Sequence, residues 1–325
     1  LHRTYGLLAL FGVYLTVTAL AEITHQWWLV YPQYIANPKL GIHFGRARGP
    51  LLQSHSLGLQ LAMMLLCAWA WRGNASRWGQ AAFVLLAVCC AAAMYFTYTR
   101  CVWLGAALGG TIVLALWLRG VWRPLVLTAA LGIGLLASIF LWDEVMGLKR
   151  DAGAVAARDS VSQRASFTYV SWKMFQDRPL LGFGFGQFTE AKRPYLADRS
   201  QPLYLEAIRP QPHHNTFLSL LTETGLTGVV CYLAFLGGLA AMGWRLWRMA
   251  GAAPLLRRHG IVMLSALGIY LGPAMFFDLA FSPNDHWILF LLAGMTSGIY
   301  QRAAAAPEGD SDSVPAAPSR AVGFA

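Results

Sequence analysis

The strongest chemical signals in this sequence are two isolated arginines and a pair of adjacent histidines. Arg100, within Thr97-Tyr98-Thr99-Arg100-Cys101, is wedged between two apolar blocks with almost no loop. Arg164 lies within Ser162-Gln163-Arg164-Ala165-Ser166, and His213-His214-Asn215 stand where a long polar stretch meets the next apolar block. A planar guanidinium can engage two phosphate oxygens at once. Imidazole titrates near neutrality, which suits a general base. Together these groups could hold a phosphate-bearing substrate and accept a proton. Each also has a plainer reading: Arg100 could snorkel to lipid headgroups, Arg164 could be a solvated charge, and a histidine at a span end could be merely interfacial. A metal site fits less well, because adjacent histidines point in different directions and no paired carboxylate spacing accompanies them.

The residues between these positions suggest what would carry them. From Arg164 onward, Phe167, Val170, Met174 and Phe175 recur with amphipathic spacing, so a helix opening there would lie along or re-enter the membrane surface. It should stop at Arg178-Pro179, since proline cannot continue a helix. Gly182, Gly184 and Gly186 then alternate with apolar residues, which permits backbone angles and close approaches that side chains would block. The spacing matches neither a dinucleotide fingerprint nor a P-loop, and a turn after a helix would explain it equally well. Asn215 or Thr216 can cap the following helix. At about 100° per residue, Glu223 falls on the face opposite His214 and is not expected to orient it. Gly225 and Gly228 are expected to let a neighbouring helix pack closely. Asp278, Asp285 and His286 read as turn polarity first.

The elements that must position these groups are membrane helices. Of 325 residues, 57% are hydrophobic and 12% charged, whereas soluble domains carry roughly twice that charged fraction. Apolar blocks at 6–21, 51–71, 80–98, 102–118, 124–142, 216–244, 261–280 and 285–300 make an all-α, polytopic bundle of about eight spans. The short connections on one side contain Arg72, Arg77, Arg119, Arg123, Arg245, Arg248, Arg257 and Arg258 and no acid, a positive-inside pattern. Two outer segments follow, Glu22 to Pro50 and a large loop at 143–213. Trp27, Trp28, Tyr31, Tyr34, Trp142 and Trp287 fall at span ends as interfacial anchors. Residues 303–325 read as a disordered cytoplasmic tail. The net charge of +10 comes without Lys/Arg runs, so membrane lipids and phosphate are expected partners and nucleic acid is not. The cysteines have no metal or disulfide spacing and read as packed thiols. No cleavable signal peptide is evident. A charge at mid-span is costly and is retained for a task. None is present here, which disfavours an ion-coupled transporter.

Thr99-Arg100, Arg164 with Trp172, Pro179 through Gly186, His214-Asn215-Thr216-Phe217-Leu218 and Glu223-Thr224-Gly225-Leu226-Thr227-Gly228 together resemble the O-antigen ligase and polymerase family of bacterial envelopes. Gly45-Arg46-Ala47-Arg48-Gly49-Pro50 is similar to that family as well. The resemblance implies a GT-C-type helical fold in the inner membrane and a metal-independent, cofactor-free, inverting glycosyltransferase acting at the periplasmic face. The implied donor is a glycan on undecaprenyl diphosphate. The acceptor is the lipid A core for a ligase, or another lipid-linked glycan for a polymerase. Arg100 and Arg164 match the family's diphosphate-binding arginines and His214 its catalytic histidine; Arg46, Arg48, His213, Asn215 and Gly184 are expected to bind substrate. Family members have about a dozen spans, so further spans are expected upstream of Leu1. A lipid-linked glycan transporter and a non-enzymatic scaffold of a polysaccharide machine are the competing readings.

Overall fold

The computed structural model describes residues 1–73, 75–140, 153–249 and 253–305. Among the described residues it is helical, with no strand. The long helices are α1 (His2–Ile23), α2 (Ser54–Arg72), α3 (Arg77–Phe96), α4 (Arg100–Trp117), α5 (Trp122–Phe140), α6 (Gly153–Asp177), α7 (Thr216–Glu223), α8 (Gly225–Arg248), α9 (Pro254–Ala274) and α10 (Pro283–Ala305). Among the described residues each apolar block of the sequence falls largely on one helix, except the block at 216–244, which is divided between α7 and α8. By length and composition, α1, α3, α4 and α8 can each cross a membrane. Residues 141–152 at the start of the large loop, Trp142 included, and tail residues 306–325 lie outside the described residues.

The core forms around α2 and α9. Leu57, Leu59, Leu61, Met63 and Met64 of α2 are all buried although they point in every direction around the helix, as in a helix surrounded by others. On α9, Val262, Met263, Ala266 and Tyr270 are buried likewise. Small residues bring α9 against α4: a Cβ on Gly105 would lie 2.4 Å from Ile269 O, and one on Gly272 would lie 2.5 Å from Gly105 Cα. Such backbone proximity substitutes for the hydrophobic drive that lipid cannot provide. The outward faces carry apolar side chains instead of charges, with Leu85 66%, Val88 62%, Leu104 54% and Val230 54% exposed. A surface of that kind is at home against lipid.

Several boundaries differ from expectation, each for a local reason. The block at 216–244 is not one helix: it breaks between α7 and α8, where Gly225 takes φ +63. α6 opens at Gly153, so Arg164 sits within that helix instead of at its start. α9 opens with Pro254 at its first position and ends at Ala274; within it His259 is buried between Tyr5 Oη at 2.5 Å and Thr296 Oγ1 at 2.9 Å. α10 continues to Ala305, past the expected start of the tail.

Candidate functional site

The site lies at the end of the bundle where the polar loops gather. α6 stops at Asp177, and the chain from Pro179 to Gly186 is laced to the α7–α8 break by backbone hydrogen bonds. Phe183 N donates to Thr222 O at 3.0 Å, Gly184 N to Glu223 O at 2.8 Å, and Leu226 N to Pro179 O at 2.8 Å. The buried Glu223 carboxylate then accepts Gly186 N at 2.9 Å and Phe188 N at 3.1 Å. Gly182 (φ +65) and Gly225 (φ +63) are the residues that let these two backbones meet: a Cβ on Gly225 would lie 2.4 Å from Leu180 O. The expectation that Gly225 and Gly228 admit a neighbouring helix is therefore corrected. Gly225 admits the Pro179 loop, and a Cβ on Gly228 would strike Thr224 of the preceding turn.

The same loop layer fixes the histidines. Asn215 caps α7, its side-chain oxygen accepting Leu218 N at 2.9 Å, while its amide nitrogen donates to Met275 O at 2.8 Å. Thr216 Oγ1 donates to Phe277 O at 2.9 Å. These bonds tie the entry of α7 to the α9–α10 turn. They also engage the Asn215 side chain at both ends. His213 is buried, with Nε2 2.8 Å from Ser171 Oγ of α6 and no partner for Nδ1 among the described residues. Burial, with help from His214 and Lys192, pushes its pKa down to about 3. His214 is half-buried, its ring edge-on to Phe167 at 5.2 Å and its Nε2 3.2 Å from Gln211 Oε1. Burial first, then the charges of Arg164 and Lys192, lower its pKa from the ordinary histidine value.

Arg164 stands one turn before Phe167 on α6, with its guanidinium 5.2 Å from the Phe276 ring centre. Arg100 is the first residue of α4, after a tight turn in which Tyr98 takes φ +50. The charges of Arg100 and Arg164 both act on Cys101, and that of Arg164 also acts on His214. Ala47 N donates to Phe96 O at 3.0 Å, which sets the Arg46 segment beside the turn that carries Arg100.

Arg48 is placed differently. It is fully buried. Its Nε donates to Glu22 at 3.2 Å, and its terminal nitrogens donate to Leu40 O at 2.7 Å and Ile35 O at 2.8 Å. With Arg48 N and Gly49 N also on the Glu22 carboxylate, the guanidinium organises the 24–53 loop instead of facing a substrate. Gly184 faces the loop surface with φ +103.

Lys192 is the residue that sequence reasoning missed. It is buried against the Phe188 ring, donates to Gln211 O, and burial brings its pKa down to about 8. No motif marks it. Asp278 and the His55–Asp285 pair, 3.5 Å apart, also border this layer: His55 stacks on Phe277 at 4.2 Å. Burial raises the Asp278 pKa to about 6.

Fold and site together define a helical membrane protein in which His213 and Lys192 pack on the same Phe188 ring, beside His214, in the polar loops at one end of the bundle. Residues 85–233 match the family model described as O-antigen ligase, and the family resemblance read from the sequence holds over that stretch. Arg100, Arg164, Gly184, Lys192, His213, His214, Asn215 and Glu223 lie within it; Arg46 and Arg48 do not. No curated protein matches the chain.

Proposed function

We propose that the protein is an O-antigen ligase-type glycosyltransferase that moves a glycan from undecaprenyl diphosphate to a lipid A core or polysaccharide acceptor at the periplasmic face of the bacterial inner membrane. The observation that carries this reading is the seating of the His214 ring edge-on to Phe167 at 5.2 Å, one turn along α6 from Arg164. An acceptor hydroxyl oxygen attacks the anomeric carbon, the bond from that carbon to the diphosphate oxygen breaks, and the configuration inverts. The departing diphosphate gains negative charge, which the planar guanidinium groups of Arg100 and Arg164 pair through two oxygens at once. Gln211 presents an oxygen to His214 Nε2, so Nε2 carries the proton and Nδ1 keeps the lone pair that takes the hydroxyl proton. Lys192 adds a further positive charge beside the histidines. The arginine-rich connections at the opposite end of the bundle support the outward orientation of this layer.

The test is glycan transfer by membranes carrying Arg100→Ala, Arg164→Ala or His214→Ala. Each substitution should lower transfer by about a hundredfold or more with the protein still inserted. Wild-type transfer by all three would defeat the proposal. In a deletion strain, loss of capped lipopolysaccharide with free polymer retained would assign the ligase reaction, whereas single-repeat products would assign the polymerase reaction.

A further inference from the structure

At the end of the bundle opposite the histidines, a cavity of about 590 Å³ opens where α4 ends, α5 begins, and α8 and α9 meet. Arg119, Arg123, Arg257 and Arg258 line it, together with Trp117 and Trp247. Trp247 Nε1 donates to Leu116 O at 3.3 Å, and Arg257 Nε donates to Trp247 O at 3.3 Å, so the ends of α4, α8 and α9 are fastened around the cavity. None of these arginines has a carboxylate partner among the described residues, where the ion pairs all lie towards the other end. Topology explains why arginines occur at this end of the bundle. It does not explain why four arginines, from the α4–α5 connection, α5 and α9, border one concavity, where positive charges repel one another unless an anion sits among them.

A second observation concerns what adjoins the cavity. Leu116 also lines a groove of about 620 Å³ that runs along α4, α8 and α9 past Leu108, Ile112, Leu233 and Leu267, and every residue lining the groove is apolar. An arginine-lined cavity at a helix end that shares Leu116 with an apolar groove along the bundle has the two-part form of a phospholipid. We infer that this is a binding site for an anionic phospholipid, with the headgroup phosphate among Arg119, Arg123, Arg257 and Arg258 and an acyl chain in the groove. Guanidinium groups pair phosphate oxygens bidentately, and basic pockets between helices at this level of a membrane suit anionic headgroups. The inference does not rest on the transfer reaction proposed above. The same chemistry could instead be met by free phosphate, or by the carboxylates of Glu308, Asp310 and Asp312, which follow α10 in the sequence.

The full chain, purified in mild detergent, tests this by mass spectrometry of retained lipid and by thermal midpoints during titration. Phosphatidylglycerol should be retained and should raise the midpoint, while phosphatidylcholine and inorganic phosphate at equal concentration should not. Combining Arg119→Gln with Arg257→Gln should reduce phosphatidylglycerol retention by about tenfold or more, whereas combining Arg77→Gln with Arg248→Gln at the same end should change it by less than about twofold. Ala240→Trp, which fills the groove and leaves the arginines intact, should also weaken retention. Equal retention of the two lipids, or equal losses from the two arginine pairs, would overturn the inference. Stabilisation by inorganic phosphate as large as that by phosphatidylglycerol would make it a free-anion site. Phosphatidylglycerol binding that appears only after removal of residues 306–325 would assign the cavity to the tail.

Discussion

The Glu223 carboxylate accepts the backbone N–H of Gly186 at 2.9 Å, from a segment far away in the chain, and that of Phe188 beside it. Glu223 closes α7, and Gly186 ends the glycine run that follows α6. The acid therefore ties α7, whose entry carries His214, to the loop that follows the helix of Arg164, without a hydrogen bond to either residue. Hydrogen bonds to a buried charge contribute about 1.5–3 kcal/mol each. Glu223→Gln keeps one acceptor oxygen but turns a donor towards a donor, and should cost about 2 kcal/mol. The thermal midpoint should fall and limited proteolysis should find new cuts within 178–188. Unchanged proteolysis would show that the loop is held by other contacts.

Gly225 makes a sharper version of the same case. A side chain there is disfavoured by φ +63 and meets Leu180 O at 2.4 Å, and neither backbone can retreat without breaking the ladder between them. Gly225→Ala should destabilise by about 2–3 kcal/mol. At Gly184, φ is also positive, but an added Cβ meets only the flexible Gln187 side chain at 3.2 Å. Gly184→Ala should cost about 1 kcal/mol. Chemical unfolding in detergent measures the difference, and equal losses would contradict it.

The part of this architecture that was legible in the sequence is the part governed by local rules. Apolar runs of span length become helices because lipid leaves the backbone no other partner, and Pro179 stops α6 for the reason any proline does. The break before Gly225 was hidden because the short polar run from Thr222 to Gly228 is flanked by apolar residues on both sides, and only the approach of a distant loop shows that the backbone must turn. The pairing of Arg48 was hidden for a related reason: the composition of Arg46-Ala47-Arg48 does not reveal that Glu22 waits across the loop. Lys192 lies in a polar stretch where a lysine is ordinary until folding buries it. The arginines of the connections were read as topology signals, and their shared cavity exists only once α4, α8 and α9 have packed.

The buried Arg48–Glu22 pair provides a direct separation of scaffold from substrate contact. Removing one partner of such a pair leaves a charge without compensation and typically costs about 3–5 kcal/mol. Glu22→Gln and Arg48→Met should both lower the thermal midpoint strongly, and combining them should not restore it, because Leu40 O, Ile35 O, Arg48 N and Gly49 N would still lack partners. Whatever Arg48→Met protein remains folded should keep the wild-type KM for donor. A raised KM at full stability would return Arg48 to the substrate site.

His213 should make the loop layer sensitive to acid. Its pKa is pushed down to about 3, so between that value and the ordinary histidine value near 6.5 the unfolded chain binds a proton that the folded chain refuses. Its contribution is therefore fully present above about pH 6.5 and is lost as pH falls through this window. His213→Asn should flatten that part of the stability profile, as followed by thermal midpoints from pH 7 down. An unchanged slope would show that another group sets the acid limit.

His214 should set the acid limb of catalysis. The base must be neutral to accept the acceptor's proton, and burial, Arg164 and Lys192 all disfavour its charged form. Transfer should therefore be level through neutral pH and fall only below the usual histidine range, with a midpoint under about 6.5. Lys192→Gln removes one of the charges and keeps a hydrogen-bond donor towards Gln211 O, so the midpoint should move upwards while the plateau drops by less than it does for His214→Ala. A purely structural lysine would lower the whole profile without moving its midpoint. The measurement is kcat/KM against pH for the wild type and Lys192→Gln, and coincident midpoints would remove Lys192 from the electrostatics of the base.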